Sequence, residues 1–299
     1  MLTHSQWRGN TGGTTWMQRN LIGLVRLTSV KPVYFFMAIF VVPFYMLFNR
    51  RGFRAIYSYM RERQHFKPLK AFYYTYLNHY RFGQIIIDRF ARYGGKIFKF
   101  TLDGNEDFLE LVNGESGFLV LSSHVGNYEV AGYSFEASKK KFNALVFSGE
   151  SKEVMKNRER ILSENNINMI EVKEDMSHIF QINSALESGD IVSIPADRIF
   201  GSPKRLECTF FGERVFFPLG PFALTCSKQI PAIALFVLKE NSSDYKVYIR
   251  KLHAPTDGKL SERAASLAQN FASEVESVLK NYPEQWFNYY DFWKRDERG

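Results

Sequence analysis

Two regimes of apolar patterning meet near residue 95. From Thr14 to Val30, apolar Trp16, Met17, Leu21, Leu24 and Val25 recur at helical spacing, with Arg19 and Arg26 interleaved. Residues 32–48, Pro32 to Phe48, then run for seventeen positions without a charge. At about 1.5 Å per residue that covers roughly 25 Å, short of the roughly 30 Å hydrocarbon core of a bilayer. Pro43 interrupts the run, and Lys31, Arg50, Arg51 and Arg54 flank both ends. With basic residues on both sides, a spanning helix with one positive end is not favoured. The pattern predicts a helix pair lying in, or dipping into, one leaflet with its cations at the headgroups. A buried helix of a soluble core is the other reading. Residues 53–92 continue helical, aromatic and basic, a composition that suits a membrane interface.

From Lys96 the pattern changes to short apolar runs alternating with amphipathic helices. Strands are predicted at Phe98 to Leu102, Phe118 to Leu121, Phe142 to Phe147, Asn168 to Val172, Asp190 to Pro195 and Pro231 to Leu238. Tyr245 to Arg250 reads as an antiparallel partner of the last of these. Helices are predicted at Asp107 to Val112, Lys152 to Asn165, Ser177 to Ser188, around Leu224 and from Leu260 to Tyr282. The alternation predicts an α/β fold, a mostly parallel central sheet flanked by helices. Residues 1–95 form a helical, basic and aromatic membrane-associating region, and 96–299 the α/β core. The glycine-rich start, Trp7 to Gly13, reads as a poorly ordered lead-in.

Charge sharpens this division. Residues 1–99 hold sixteen Lys and Arg against Glu62 and Asp88, a balance of +14, while residues 100–299 hold 23 basic against 29 acidic, or −6. The two sum to the net +8 of the chain. A cationic third suits an anionic membrane surface; nucleic acid is disfavoured, because no DNA- or RNA-binding module is present and the apolar run would be unexplained. Cys208 and Cys226 show no CxxC spacing, so neither a disulfide framework nor a cysteine metal site is expected. The first thirty residues lack the apolar h-region and cleavage site of a signal peptide.

The chemistry concentrates around Gly117 to Gly132. The strand at Phe118 to Leu121 is predicted to end in a turn through Ser122, Ser123 and His124, with a helix starting near Gly126–Asn127 and carrying Glu129. On one continuous helix, residues five apart lie about 140° apart and do not meet. With His124 in the turn and Glu129 in the first helical turn, the carboxylate reaches the imidazole and holds one tautomer. A structural histidine at a strand end is the plainer alternative. Backbone N–H groups at the helix start, near Gly126 and Asn127, suit an anion or an oxyanion. Asp197 and Arg198 follow another apolar strand, as a second site or an exposed loop. Arg158 and Arg160 sit on a helix of mixed charge, the usual mark of a solvated face. His4, His65, His79, His178 and His253 are scattered without metal spacing, so no metal site is expected. No G-x-S-x-G elbow, Walker loop or G-x-G-x-x-G occurs, so serine hydrolases, nucleotide hydrolases and dinucleotide enzymes all lose support. The aromatic stretch Cys208 to Pro221 is either core or the lining of an acyl-chain groove.

The order of these blocks resembles the lysophospholipid acyltransferase superfamily, whose first motif is His-x-x-x-x-Glu after a strand. His124-Val-Gly-Asn-Tyr-Glu129 is similar to the His-x-Gly-Asn-Trp-Glu of bacterial lipid A late (secondary) acyltransferases. Asp197, Phe210-Phe211-Gly212 and Pro218-x-Gly220-Pro221 resemble that branch's Asp-Gln, Phe-Phe-Gly and Thr-Gly-Pro blocks, and Tyr282-Pro-Glu-Gln-Trp286 its Pro-Glu-Gln-aromatic motif. Arg198 stands where those enzymes usually have Gln, and Tyr128 where they have Trp.

The resemblance implies a glycerolipid acyltransferase-like fold and acyl transfer from an acyl carrier protein or coenzyme A thioester to a hydroxyl of a lipid acceptor, a lipid A precursor or a related lipid, at the cytoplasmic face of an inner membrane. No cofactor is implied. His124 would be the general base and Glu129 its orienting partner; Gly126, Asn127, Arg158, Asp197 and Arg198 would serve substrate binding. A non-catalytic lipid-binding or carrier-docking protein that kept the fold is the alternative.

Overall fold

The computed structural model describes residues 15–127, 139–147, 152–173, 175–199 and 203–293. Helices α1 (Thr15–Leu27), α2 (Val30–Phe36), α3 (Val42–Phe48), α4 (Arg50–Ser58) and α5 (Pro68–Tyr93) come first. Then follow β1 (Lys99–Asp103), α6 (Asn105–Asn113), β2 (Phe118–Gly126), β3 (Phe142–Phe147), α7 (Lys152–Glu164), β4 (Ile167–Val172), α8 (Ser177–Glu187) and β5 (Ile191–Pro195). A hairpin, β6 (Arg205–Phe210) and β7 (Glu213–Pro218), precedes α9 (Leu219–Lys228), β8 (Ala232–Lys239), β9 (Asp244–Leu252) and α10 (Leu260–Asn281). The alternation expected from Lys96 onward is therefore present, with most ends shifted by a residue or two; β2 runs five residues past Leu121, and the hairpin β6–β7 is an addition to the expected strands.

Seven strands form one sheet in the order β1-β9-β8-β2-β5-β3-β4. Strands β8, β2, β5, β3 and β4 are mutually parallel; β9 pairs antiparallel with β8 and carries β1 with it. This is the mostly parallel, helix-flanked α/β sheet predicted above. Its central strands are apolar on both faces because both are covered. Leu119 and Leu121 of β2 face one core with Phe236, Phe271 and Trp286, while Phe118 and Val120 face the other with Ile233 and Val247. The alternation is the period of two that a pleated strand imposes.

The apolar N-terminal run is part of that second core. Tyr34, Met37 and Val42 are buried there beside Ile87 and Ala91 of α5. From Ser29, whose side chain caps Lys31 N–H, the helix continues through Phe48, with a π-helical stretch at Met37–Val41. Pro43 explains that stretch. It has no N–H to give, and its ring crowds the preceding turn; Val42 instead donates to Met37, one residue further back than in an α-helix. The uninterrupted segment Val30–Phe48 has 19 residues and mean hydropathy 1.8, long and apolar enough to cross a membrane, and only 17% of its apolar window is buried. Phe36, Phe40, Phe44 and Phe48 stand on the uncovered side.

The aromatic stretch at 208–221 resolves as core. Phe210 and Phe217 are 1% exposed, and Phe210 lies among Phe211, Trp286, Phe292 and Trp293. Phe211 and Gly212 link β6 to β7 with φ of 50° and 75°, the left-handed pair that matches the twist of a two-residue hairpin.

Candidate active site

Strand β2 does not end at Leu121. It runs on through His124 to Gly126, and its pairing with β8 shifts between Ser122 and Gly126. The turn expected at Ser122 to His124 is thus an irregular strand end. Such an extra step re-aims side chains at the edge of a ladder. Gly126 makes it possible: its φ is 63°, and a Cβ there would stand 2.0 Å from the Val237 carbonyl oxygen. Asn127 N–H then donates to that same oxygen at 2.7 Å. Gly126→Ala is expected to lower the melting temperature by about 5 °C or more, combining a left-handed alanine with a backbone collision. Thermal unfolding followed by circular dichroism reads this, and an unchanged midpoint would refute it.

Parallel register supplies the partner of His124. Ser122 of β2 pairs with Pro195 of β5, and Ala196 N–H donates to Ser122 at 2.8 Å. Two residues further along each strand stand His124 and Asp197. His124 Nδ1 lies 2.7 Å from Asp197 Oδ1, and His124 N–H donates to Oδ2, also at 2.7 Å. Asp197 is 4% exposed, so both its oxygens are spent on one residue. Burial pushes its carboxyl pKa up, but the charge and hydrogen bonds of His124, with the charge of Arg198, outweigh that and hold it below the ordinary carboxylate value. Burial pushes the His124 pKa down; Asp197 opposes this and the Arg198 cation adds to it, leaving a net lowering. The pair is therefore ionised Asp197 beside neutral His124 near neutral pH. An ionised carboxylate only accepts, so Nδ1 carries the proton and Nε2 the basic lone pair.

The segment after α10 closes over this end of the sheet. Gln285, fully buried, accepts from Lys239 N–H and donates to the Lys239 carbonyl, both at 2.9 Å. Trp286 bridges to Val125, and Phe287 N–H donates to the His124 carbonyl at 2.9 Å. Asn78 of α5 donates to the carbonyls of Glu284 and Trp286. Arg198 Nη2 donates to the Phe287 carbonyl at 2.8 Å, and its guanidinium lies over the Tyr290 ring. The Pro-Glu-Gln-Trp block is thus a clamp on the backbone of β8 and β2, fixing the His124 carbonyl while Asp197 takes its N–H.

Among the residues singled out from the sequence, His124, Asp197 and Arg198 come together. Gly126 and Asn127 form the adjoining strand end, but the Asn127 side chain turns inward and donates to the Tyr245 hydroxyl at 3.1 Å. Glu129 and the helix expected to carry it lie outside the described residues. Arg158 sits on α7 with its guanidinium against Met155 Sδ, 8% exposed rather than on a solvated face. Helix α7 packs on β4, three strand spacings from β2, about 14 Å at about 4.8 Å per spacing. The residues that sequence reasoning missed are Asn78 and a buried pair, Asp88 and Lys239; Gln285 stands out in the sequence only as part of the Pro-Glu-Gln-Trp block, with no contact assigned. Asp88 carried one signal, as one of only two acids in the basic first 99 residues.

The arrangement suits proton abstraction: a neutral imidazole, fixed in tautomer by a buried carboxylate at the carboxyl end of a central strand. A family model described as bacterial lipid A biosynthesis acyltransferase matches residues 95–295, two thirds of the chain. The match begins where the apolar patterning changes, and it contains His124, Asp197 and Arg198. No curated protein matches the chain.

Proposed function

This chain belongs to the bacterial lipid A biosynthesis acyltransferase family, and on that footing we propose that it moves a fatty acyl group from a thioester to a hydroxyl of a membrane lipid. The observation that carries the reading is the His124–Asp197 pair at the carboxyl end of β2, inside the matched region. His124 Nε2 takes the proton of the acceptor hydroxyl as its oxygen attacks the thioester carbonyl. The negative charge that develops on the carbonyl oxygen calls for a donor nearby, a role the Arg198 cation suits; the His124 and Asn127 amides are committed to Asp197 and Val237. Collapse breaks the carbon–sulfur bond, and the departing thiolate recovers the proton from the imidazolium. No covalent enzyme intermediate is needed, and atoms and protons balance in one transfer. With Nδ1 held by Asp197, Glu129, five residues along, would serve the acceptor.

The donor in this reading is an acyl carrier protein or acyl-coenzyme A, and the acceptor a lipid A precursor or a related lipid. Location at the cytoplasmic face of the inner membrane is part of the proposal. The family is membrane-associated, and the geometry of α2 to α5 supports shallow insertion. Segment Val30–Phe48 packs along α5, with Tyr34 on Asp88 and the Tyr76 hydroxyl on the Ala38 carbonyl. Full spanning would drag α5, with Arg81, Asp88, Arg89 and Arg92, into hydrocarbon, at roughly 2.5–3.5 kcal/mol for each central charge. Phenylalanines on one side and Arg50, Arg51 and Arg54 just beyond suit a helix lying at the headgroups instead.

The test is lipid mass spectrometry of cells with and without the protein, paired with purified protein in lipid micelles given acyl carrier protein or coenzyme A thioesters. A lipid gaining one ester-linked chain, with release of free thiol, is the expected result. Lipid binding without ester gain from either donor would overturn the catalytic reading and leave the lipid-binding one.

A further inference from the structure

Four side chains from four elements meet in the interior beside the site. Asp88 of α5 accepts from the Tyr34 hydroxyl of α2 at one oxygen, and from Lys239 Nζ at the end of β8 and the Tyr245 hydroxyl of β9 at the other. The Tyr245 hydroxyl accepts in turn from Asn127 Nδ2, just past Gly126. Asp88 is fully buried, Lys239 and Tyr245 are 1% exposed, Asn127 2% and Tyr34 3%. Lys239 Nζ also lies against the rings of Tyr34, Phe98 and Tyr245. Its backbone is fixed on both sides by Gln285.

A buried ion pair is a poor source of stability, since apolar residues of similar volume usually do as well or better. What such a network supplies is geometry: its members need one another's lone pairs and protons, so few other arrangements satisfy them. Here the hydrogen bonds run unbroken from the apolar helix, through Asp88 and Tyr245, to Asn127, the residue just past the His124 strand. Asn127 N–H and its side chain are both committed, one to Val237 and one to Tyr245. We propose that Asp88, with Tyr34, Lys239 and Tyr245, is a positioning node through which the apolar helix Val30–Phe48 sets the strand end that aims His124. Its effect on catalysis rests on the acyl-transfer reading; its effect on the 122–127 segment does not.

Tyr34→Phe and Tyr245→Phe each remove one hydroxyl and keep the ring. Both are expected to lower kcat about tenfold, because a distant mutation that misplaces the reacting groups by about 1 Å costs up to about 10²-fold and loss of one hydroxyl shifts them less. KM for the acyl thioester should stay within about twofold and the melting temperature within about 4 °C. Amide exchange should quicken about tenfold in the peptide spanning 122–127 and stay unchanged in β5. Tyr245→Phe combined with Asn127→Ala should do no more damage than either alone, since they interrupt one path. Unchanged kcat with unchanged exchange at 122–127 would overturn the node, and so would exchange rising equally in β5. If wild type transfers no acyl group, the function reading has failed, and the exchange pattern still decides the node.

Discussion

His124→Ala is expected to bring acyl transfer down by about 10⁴-fold or more, to the level set by bound substrates without a base. The fold should survive it. The backbone of His124 keeps its bonds to Phe287 N–H and to Asp197 Oδ2, and those bonds belong to the sheet end rather than to the ring. Asp197 loses its contact with Nδ1 but keeps the backbone donor and the nearby Arg198 charge. A fall in melting temperature of a few degrees is consistent with a buried acceptor left half satisfied. His124→Gln, which restores a polar group of similar reach, separates chemistry from folding. Initial rates of thiol release, with calorimetry on the same samples, make the measurement. A folded His124→Ala protein with rates near wild type would sink the general-base mechanism.

Asp197→Asn should cost about 10³–10⁴-fold in kcat with little change in shape, the scale seen when a base loses its tautomer-fixing carboxylate. The reason is a count of donors and acceptors. The His124 N–H and Nδ1–H both need an acceptor at this residue, and a carboxamide offers one oxygen and an NH₂ group. If the oxygen serves the backbone, the NH₂ faces Nδ1, the proton moves to Nε2, and the base is gone. The pH profile separates this from simple damage. In the wild type the acid limb of kcat/KM should fall below the ordinary histidine value of about 6.5, because the His124 pKa is lowered and the neutral form persists to lower pH. Asp197 raises that pKa, so removing its charge moves the limb further toward acid as the plateau drops. Arg198 lowers it, so Arg198→Gln moves the limb the other way, toward neutral pH. Limbs that stay fixed in both variants would mean that another group titrates.

The outline of the core was legible in the sequence because strands buried on both faces must be apolar throughout, as Phe118 to Leu121 and Ala232 to Leu238 are. Amphipathic α10 and the charge-free run to Phe48 were legible for the same kind of reason. Local chemistry was less so. Placing His124 in a turn assumed that β2 stops where its apolar run stops, yet backbone pairing continues to Gly126 because β8 and the Pro283–Phe287 segment supply partners. A ladder is closed by hydrogen bonds from elsewhere in the chain, which hydropathy does not record.

The same limit governs the site. By itself the sequence determined that a histidine follows one buried apolar run, that a carboxylate and an arginine follow another, and that a basic apolar region precedes both. It did so because burial and charge are properties of single residues and their near neighbours. Only the tertiary structure decided that Asp197 holds Nδ1, since that contact depends on β2 and β5 lying side by side in one register, 73 positions apart. It also decided that Asp88, which the sequence shows only as one of two acids in the basic first 99 residues, is a buried anchor for Lys239 and the tyrosines. Long-range register comes from packing the whole sheet between two helical layers, and no local stretch of the chain contains it.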